Sequence, residues 1–278
     1  MNAASFYKTR IAPTPSGYLH IGNALSFLIT TDLAKKAGAK LLLRIDDLDS
    51  ARTRQQYVED IFDTLRFLEI EWEEGPGNYA EYESAWSQVH RLHLYEAALQ
   101  QLSAAGLVYA CACSRTQWQQ NAGYTCTCRE KHLPLDTPDT SWRLITNDTL
   151  LLTVRTLAGE AITTHLPAAM QSFIVRKKDG HPAYQLASLI DDEYFGIDAI
   201  VRGQDLWDCT LAQQYLAQVL DKPFFRQVTF YHHPLVMDVS GFRKLSKSAG
   251  ATSIRHLRSE GKRRKDVLEM MKHWMDKH

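Results

Sequence analysis

The 278-residue chain has no run of about 18 consecutive apolar residues, so it lacks the length of oil a membrane-spanning helix needs. Its opening, Met1 to Arg10, has no apolar signal-peptide core and runs directly into patterned sequence, so a cytoplasmic protein with no membrane contact is expected. Glycine (14) and proline (9) are too sparse for a collagenous or disordered chain, and there is no internal repeat or low-complexity tract. Cysteines number only five; at this length roughly 75% of the unfolded surface can be buried, so an enzyme core needs no disulfide or metal staples. Net charge is also missing, with 32 basic against 32 acidic residues. That balance conceals an asymmetry: residues 241–278 hold 11 Lys and Arg against 4 Asp and Glu, and the remainder carries the opposite excess. A basic end on a neutral protein points to phosphate contacts or to a solvated helix face.

What is present reads as alternating strands and helices. Residues 6–12 form a short strand stopped by Pro13 and Pro15; a helix is expected over 21–37, ended by Gly38, and a buried strand over 40–45. Val58, Ile61, Phe62, Leu65 and Leu68 recur at helical spacing. This order opens a βαβ sheet. From about 107 to 139 the pattern lapses into a cysteine-bearing insertion. Strands follow near 150–156 and 172–177, with Asp179-Gly180 as a turn, then a helix near 184–192, a strand at 197–202 and helices at 206–219 and 265–277.

Two segments suit phosphate chemistry. His20-Ile21-Gly22-Asn23 falls at a predicted helix start, where unpaired N–H groups and a partial positive charge favour an anion. Gly22 admits a nucleotide close to the backbone, and His20 can donate to a phosphate oxygen as charge develops. Lys244-Leu245-Ser246-Lys247-Ser248 sets two lysines among small residues, able to neutralise a triphosphate. Each alone is weak, since a turn glycine with a surface histidine, or a basic loop, is the commoner meaning.

Together they resemble the paired signatures of class I aminoacyl-tRNA synthetases. The lead-in Arg10-Ile11-Ala12-Pro13-Thr14-Pro15-Ser16-Gly17 narrows the resemblance to the glutamyl/glutaminyl group, and Arg44-Ile45-Asp46-Asp47-Leu48-Asp49 and Val201-Arg202-Gly203-Gln204-Asp205-Leu206 stand where that group has its other two motifs. Asn23 replaces the histidine that usually ends the first signature. The resemblance implies an ATP site at His20, Gly22, Asn23, Lys244 and Lys247, with His20 and Lys247 stabilising the α-phosphate transition state and Mg²⁺ accompanying ATP. It implies a glutamate pocket from Arg10, Ile11, Ala12, Pro13, Thr14, Asp46, Tyr184 and Arg202. The chemistry agrees: an α-ammonium needs a carboxylate such as Asp46, and a side-chain carboxylate needs guanidinium groups such as Arg10 and Arg202. Glutaminyl enzymes lack the arginine at 202, which favours glutamate; the glutamyl branch usually has glutamate at position 46, where this chain has aspartate.

Cys111-x-Cys113 and Cys126-x-Cys128 suggest a structural Zn²⁺ site rather than disulfides. The resemblance offers a second set, Cys111, Cys113, Tyr124 and Cys128, so Tyr124 and Cys126 compete for the fourth position. Spacing favours Tyr124; thiolate is the better zinc ligand. Cys209 lies on a predicted helix and reads as a packed residue.

Glutamyl-tRNA synthetases continue into an all-helical anticodon-binding domain, whereas little of this chain follows Ser248. A short, zinc-bearing relative of that kind resembles the glutamyl-queuosine tRNA(Asp) synthetase family, which activates L-glutamate with ATP and attaches it to queuosine in the tRNA(Asp) anticodon loop. The expectation is therefore an α/β, Rossmann-like class I synthetase catalytic domain without an anticodon-binding domain. Its first half would span 1–105, a zinc-containing acceptor-binding-like insertion 106–182, its second half 183–240, and the lysine loop with a basic helical tail 241–278. The competing readings are a minimal glutamyl-tRNA synthetase or a ligase for another acceptor, and a non-catalytic tRNA-binding chain. His20, Gly22, Lys247 and Arg202 all being intact speaks against the last.

Overall fold

The computed structural model describes residues 5–49, 51–114, 117, 126–235 and 253–275. Strand β1 (Lys8–Ile11) passes through helix α1 (Ile21–Ala37) to strand β2 (Lys40–Leu43), which pairs with β1 in parallel. Gly38, in the left-handed region at φ 64°, ends α1 by donating to the carbonyls of Ala34 and Lys35. Helix α2 (Gln55–Phe67) buries the expected stripe of Val58, Ile61, Phe62 and Leu65.

A second sheet has the order β6-β5-β9-β8, built from β5 (Leu151–Thr156), β6 (Ala161–His165), β8 (Ala199–Gly203) and β9 (Thr229–His233). Strands β8 and β9 run parallel, as do β5 and β9. Helices α4 (Tyr184–Tyr194) and α5 (Trp207–Val219) precede and follow β8. The two sheets meet edge to edge, because the Asp198 N–H donates to the Lys8 carbonyl and the Thr9 hydroxyl to that of Ala199. The carboxyl ends of β1, β8 and β9 thus open on one side, where open α/β sheets bind ligands.

Helix α3 (Leu92–Ala104) leads to β3 (Val108–Cys111), which forms an antiparallel sheet with β4 (Ser141–Leu144) and β7 (Ile174–Arg176). The expected Asp179-Gly180 turn is present, with Gly180 at φ 87° and the Lys177 N–H bonded to the His181 carbonyl. Strands β5 and β6 fall between residues 106 and 182 in sequence, yet β5 extends the β8–β9 sheet through Arg155 opposite Thr229.

Two cores result. One gathers α3, α4, α5 and their strands around Tyr95, Leu189, Ile200 and Phe230; the other gathers α1, α2, β1 and β2. Helices α6 (Ile254–Ser259) and α7 (Arg264–Met275) dock on the second core through Ile254, Leu257, Val267 and Met271. Part of the basic end serves this docking: Arg258 faces Asp60 at 3.6 Å, and Arg264 donates to the Leu68 carbonyl and faces Glu69. Lys262, Arg263, Lys265 and Lys272 remain exposed. Among the described residues, no helix is long and apolar enough to cross a membrane.

Candidate active site

At the open ends of β1, β8 and β9 lies a cleft of about 260 Å³ lined by Arg10, Ile11, Ala12, His20, Gly22, Asn23, Tyr184 and Arg202, together with residues of α1 and the ends of β8 and β9. An adjoining cavity of about 310 Å³ is lined by Thr14, Asp46, Gln88, Lys177, Tyr184 and Ser188 among others. Tyr184 borders both. The structure thus brings nearly all of the predicted glutamate and nucleotide residues to two neighbouring spaces; Pro13 contributes its carbonyl, which accepts from the Asp46 N–H at 2.9 Å. Lys244, Lys247 and Tyr124 lie outside the described residues. The flanking described residues stand at the cleft: Leu235 lines it, and Ser253 bridges to His20 while the Ile254 N–H donates to the Leu19 carbonyl.

His20 caps α1. Its Nδ1 accepts from the Asn23 N–H at 3.3 Å, and the Asn23 side-chain oxygen accepts from the His20 N–H at 3.2 Å. This reciprocal box gives Asn23 a local structural use. Because Nδ1 accepts, the neutral ring carries its hydrogen on Nε2, the form that donates to a phosphate oxygen. Gly22 is demanded by the same ring: a Cβ there would stand 2.9 Å from His20 Cε1. The first turn of α1 has no acidic side chain to cancel the helix's positive end.

Behind the cleft is a buried charge network that sequence reading did not anticipate. Asp191 and Asp192 are fully buried on α4. Asp192 accepts from Arg10 Nε at 2.9 Å and Arg44 Nη1 at 2.7 Å. Asp191 accepts from Arg91 at 2.8 and 3.1 Å, the Tyr95 hydroxyl at 2.6 Å and Gln88 at 2.9 Å. Arg44 also grips Asp46 at 2.6 and 3.1 Å, so the carboxylate expected to meet an α-ammonium already holds a guanidinium. Burial pushes the Asp46 carboxyl up from its ordinary value, with Arg44 opposing. Two adjacent aspartates on a helix otherwise rich in apolar residues were the available signal, since carboxylates are buried only when paired.

Arg202 differs from the other arginines here. It is 4% exposed, donates through Nη1 to Gln213 at 2.8 Å and Thr210 at 3.3 Å, and stacks on Phe230. Its Nε and Nη2 are buried without a hydrogen-bond partner among the described residues. Burial lowers its pKa, and the positive charge of Arg10 adds to that.

At the end of β3, the Sγ atoms of Cys111, Cys113, Cys126 and Cys128 all lie within 4.8 Å of one another, with close pairs at 3.5–3.7 Å. All four are free thiols. Zn–S bonds of about 2.3 Å in a tetrahedron imply sulfurs about 3.8 Å apart, so the set fits a zinc ion. Cys126 therefore stands with the other three. Burial pushes its thiol up to about 12, a cost that a bound dication would reverse.

The acid stability of the network has a definite sign. Burial works to raise the Asp192 pKa, but Arg10 and Arg44 outweigh it and hold the carboxyl below its ordinary 3.8. The stabilisation is complete above that value and is lost as pH falls below it through the folded-state value. Asp192→Asn should cost about 3–5 kcal/mol at neutral pH. It should also flatten the fall of unfolding free energy below about pH 4. Urea titrations across pH measure both, and an unchanged acid limb would contradict the assignment.

Comparison with known proteins agrees with this geometry. The catalytic-domain model of class I tRNA synthetases (E and Q) matches residues 7–135 and 157–274. A glutamyl-Q tRNA(Asp) synthetase of Symbiobacterium thermophilum is 35% identical over 272 residues, covering 91% of this chain and 81% of its own. One from Rhodobacter capsulatus is 30% identical, covering 95% of this chain and 99% of its own. Among solved structures, glutamate-tRNA synthetase from Elizabethkingia anophelis superposes with a TM-score of 0.71 at 22% identity, over 88% of this chain and 53% of that one, which establishes the shared fold. The chain belongs to the class I tRNA synthetase (E and Q) catalytic-domain family and, within it, to the glutamyl-Q tRNA(Asp) synthetases.

Proposed function

We propose that the protein is a ligase that activates L-glutamate with ATP as glutamyl-adenylate and transfers it to the queuosine base in the anticodon loop of tRNA(Asp). The observation that carries the amino-acid choice is Arg202, a buried guanidinium with Nε and Nη2 unpartnered at the cleft wall beside Arg10. A buried cation without a carboxylate is costly, and a glutamate side chain supplies the missing anion in two-point geometry. Glutamine, carrying an amide, gains far less. Tyr184, Asp46 and the Ile11–Thr14 backbone would hold the rest of the amino acid.

ATP would lie along the start of α1, its phosphates at the helix's positive end, with His20 donating from Nε2 and Lys244 and Lys247 contributing charge. Mg²⁺ would arrive with the triphosphate and neutralise it. The chemistry is in-line attack of the glutamate carboxylate on the α-phosphorus with release of pyrophosphate, followed by attack of a queuosine hydroxyl on the acyl carbon and release of AMP. Catalysis is positioning plus electrostatic stabilisation, with no covalent enzyme intermediate. The names of the curated relatives support the acceptor. The exposed basic residues of α6 and α7 suit the RNA backbone, which anchors without specifying sequence.

The cysteine cluster would hold a structural Zn²⁺ through Cys111, Cys113, Cys126 and Cys128, pinning a 106–182 insertion that would bind RNA, while residues 1–105 and 183–240 form the catalytic halves and 241–278 the lysine loop and basic tail. A cytoplasmic location suits the free thiols.

Labelled glutamate should transfer to queuosine-containing tRNA(Asp) and not to the same tRNA lacking queuosine. Label on tRNA(Glu) instead would make the protein a minimal glutamyl-tRNA synthetase. In ATP–pyrophosphate exchange, Arg202→Ala should raise the glutamate KM by two orders of magnitude or more, about 3 kcal/mol for a buried charged pair, with the ATP KM nearly unchanged; equal losses in both would refute the pocket. Metal analysis should find one zinc per chain, lost in Cys126→Ser and kept in Tyr124→Phe. The reverse pattern would return the fourth position to Tyr124.

A further inference from the structure

The main cleft contains a second histidine with the opposite chemistry to His20. His233, at the end of β9, is 4% exposed and lines the cleft. Its Nδ1 lies 2.8 Å from the Pro234 carbonyl oxygen. A carbonyl only accepts, so Nδ1 carries the hydrogen and Nε2 is left with a lone pair. That Nε2 is buried and has no hydrogen-bond partner among the described residues. Burial lowers the ring's pKa, with the Pro234 bond and Asp205 opposing, so the ring is neutral and Nε2 is an acceptor at neutral pH. One cleft therefore holds an imidazole donor at the helix start and an imidazole acceptor at the strand end.

An acceptor sealed from water without a donor is destabilising, and the group that relieves it must bring an N–H or O–H. The surroundings narrow the choice. His233 is opposite Gly203 in the β8–β9 register, and a Cβ on Gly203 would meet Leu235 Cδ2 at 2.9 Å and Asp205 Oδ1 at 2.6 Å. Val201, Leu206 and Leu235 line the same part of the cleft. A tight, mostly apolar wall, with the sealed His233 Nε2 acceptor in it and the Asp205 carboxylate beside it, suits the edge of a planar ring that carries an amine. A ribose or an ammonium group would call for several polar partners. The carboxylate-seeking guanidinium of Arg202 belongs to the amino acid, leaving this wall to the base.

We propose that His233 Nε2 accepts a hydrogen bond from the exocyclic amine of adenine and selects ATP over purine nucleotides lacking that amine. The proposal rests on the ATP-dependent reading above and adds a residue that chooses the nucleotide. Inosine would set a carbonyl oxygen against the Nε2 lone pair, so discrimination comes from repulsion as well as from a lost bond.

The test compares ATP, ITP, purine riboside triphosphate and dATP with the full chain, by calorimetric binding without amino acid and by glutamate-dependent pyrophosphate exchange. Wild type should favour ATP over ITP by about a hundredfold or more. His233→Ala should reduce that ratio at least tenfold, chiefly through the ATP KM, with kcat and the glutamate KM little changed, and His233→Gln, whose amide oxygen can accept, should restore part of it. An equal loss with ATP and ITP would reduce His233 to a structural residue. A defect that follows dATP would place the ribose there, and one that follows glutamate would place the ammonium there; each overturns the proposal. Binding discrimination without any glutamate-dependent exchange would uphold His233 and reject the glutamate reading. Absence of ATP binding would reject both.

Discussion

The site depends on two adjacent buried carboxylates. Asp191 and Asp192 on α4 tie strand-end arginines of the first half of the chain, Arg10 and Arg44, and Arg91 ahead of α3, to the second half. Taking such charges from water costs several kcal/mol each unless geometry and further hydrogen bonds compensate. Here the Tyr95 hydroxyl, Gln88 and Ser188 supply those bonds. The network fixes β1 and β2 against α4, and therefore sets the distance between Arg10 and Tyr184 across the cleft. Arg202 stands beside it with no ion pair among the described residues, and it is this unsatisfied charge that is proposed to meet the amino acid's side chain.

Much of the catalytic half was legible because local signals and the fold agree. The helix over 21–37 and its Gly38 stop follow from punctuation, and Arg10, His20, Gly22, Tyr184 and Arg202 share one cleft because strand ends and a helix start converge there. Asp191 and Asp192 carry no local signal of their network, because their partners lie 96 or more positions away in the chain. His233 was unreadable for a similar reason: whether its ring donates or accepts is set by the Pro234 carbonyl and by burial, neither of which spacing reveals. Strands β4, β6 and β9 are short, and β6 is largely exposed, so no clear alternation marks them. Strand β5 joins the β9 sheet from within the 106–182 stretch, which only a long-range pairing could disclose.

The cysteine region illustrates a competition that spacing cannot resolve. Tyr124 and Cys126 lie two residues apart, and both satisfy a plausible interval. The fold places the Cys126 sulfur 3.6–3.7 Å from those of Cys113 and Cys111, close to the separation a tetrahedral zinc imposes. At the other end, α6 and α7 use apolar faces to dock on the core that holds α1, and the chain passes Ser253 beside His20. Docking of the C-terminal helices and the placing of Ser253 at the start of α1 are thereby parts of one packing arrangement.

An unpaired buried guanidinium is proposed to select the amino acid. That selection is tested most directly by a crystal structure with a non-hydrolysable glutamyl-adenylate analogue. The side-chain carboxylate should lie within hydrogen-bonding distance of Arg202 Nε and Nη2, with the phosphate at the start of α1. A carboxylate bound elsewhere, with Arg202 still unpartnered, would contradict it.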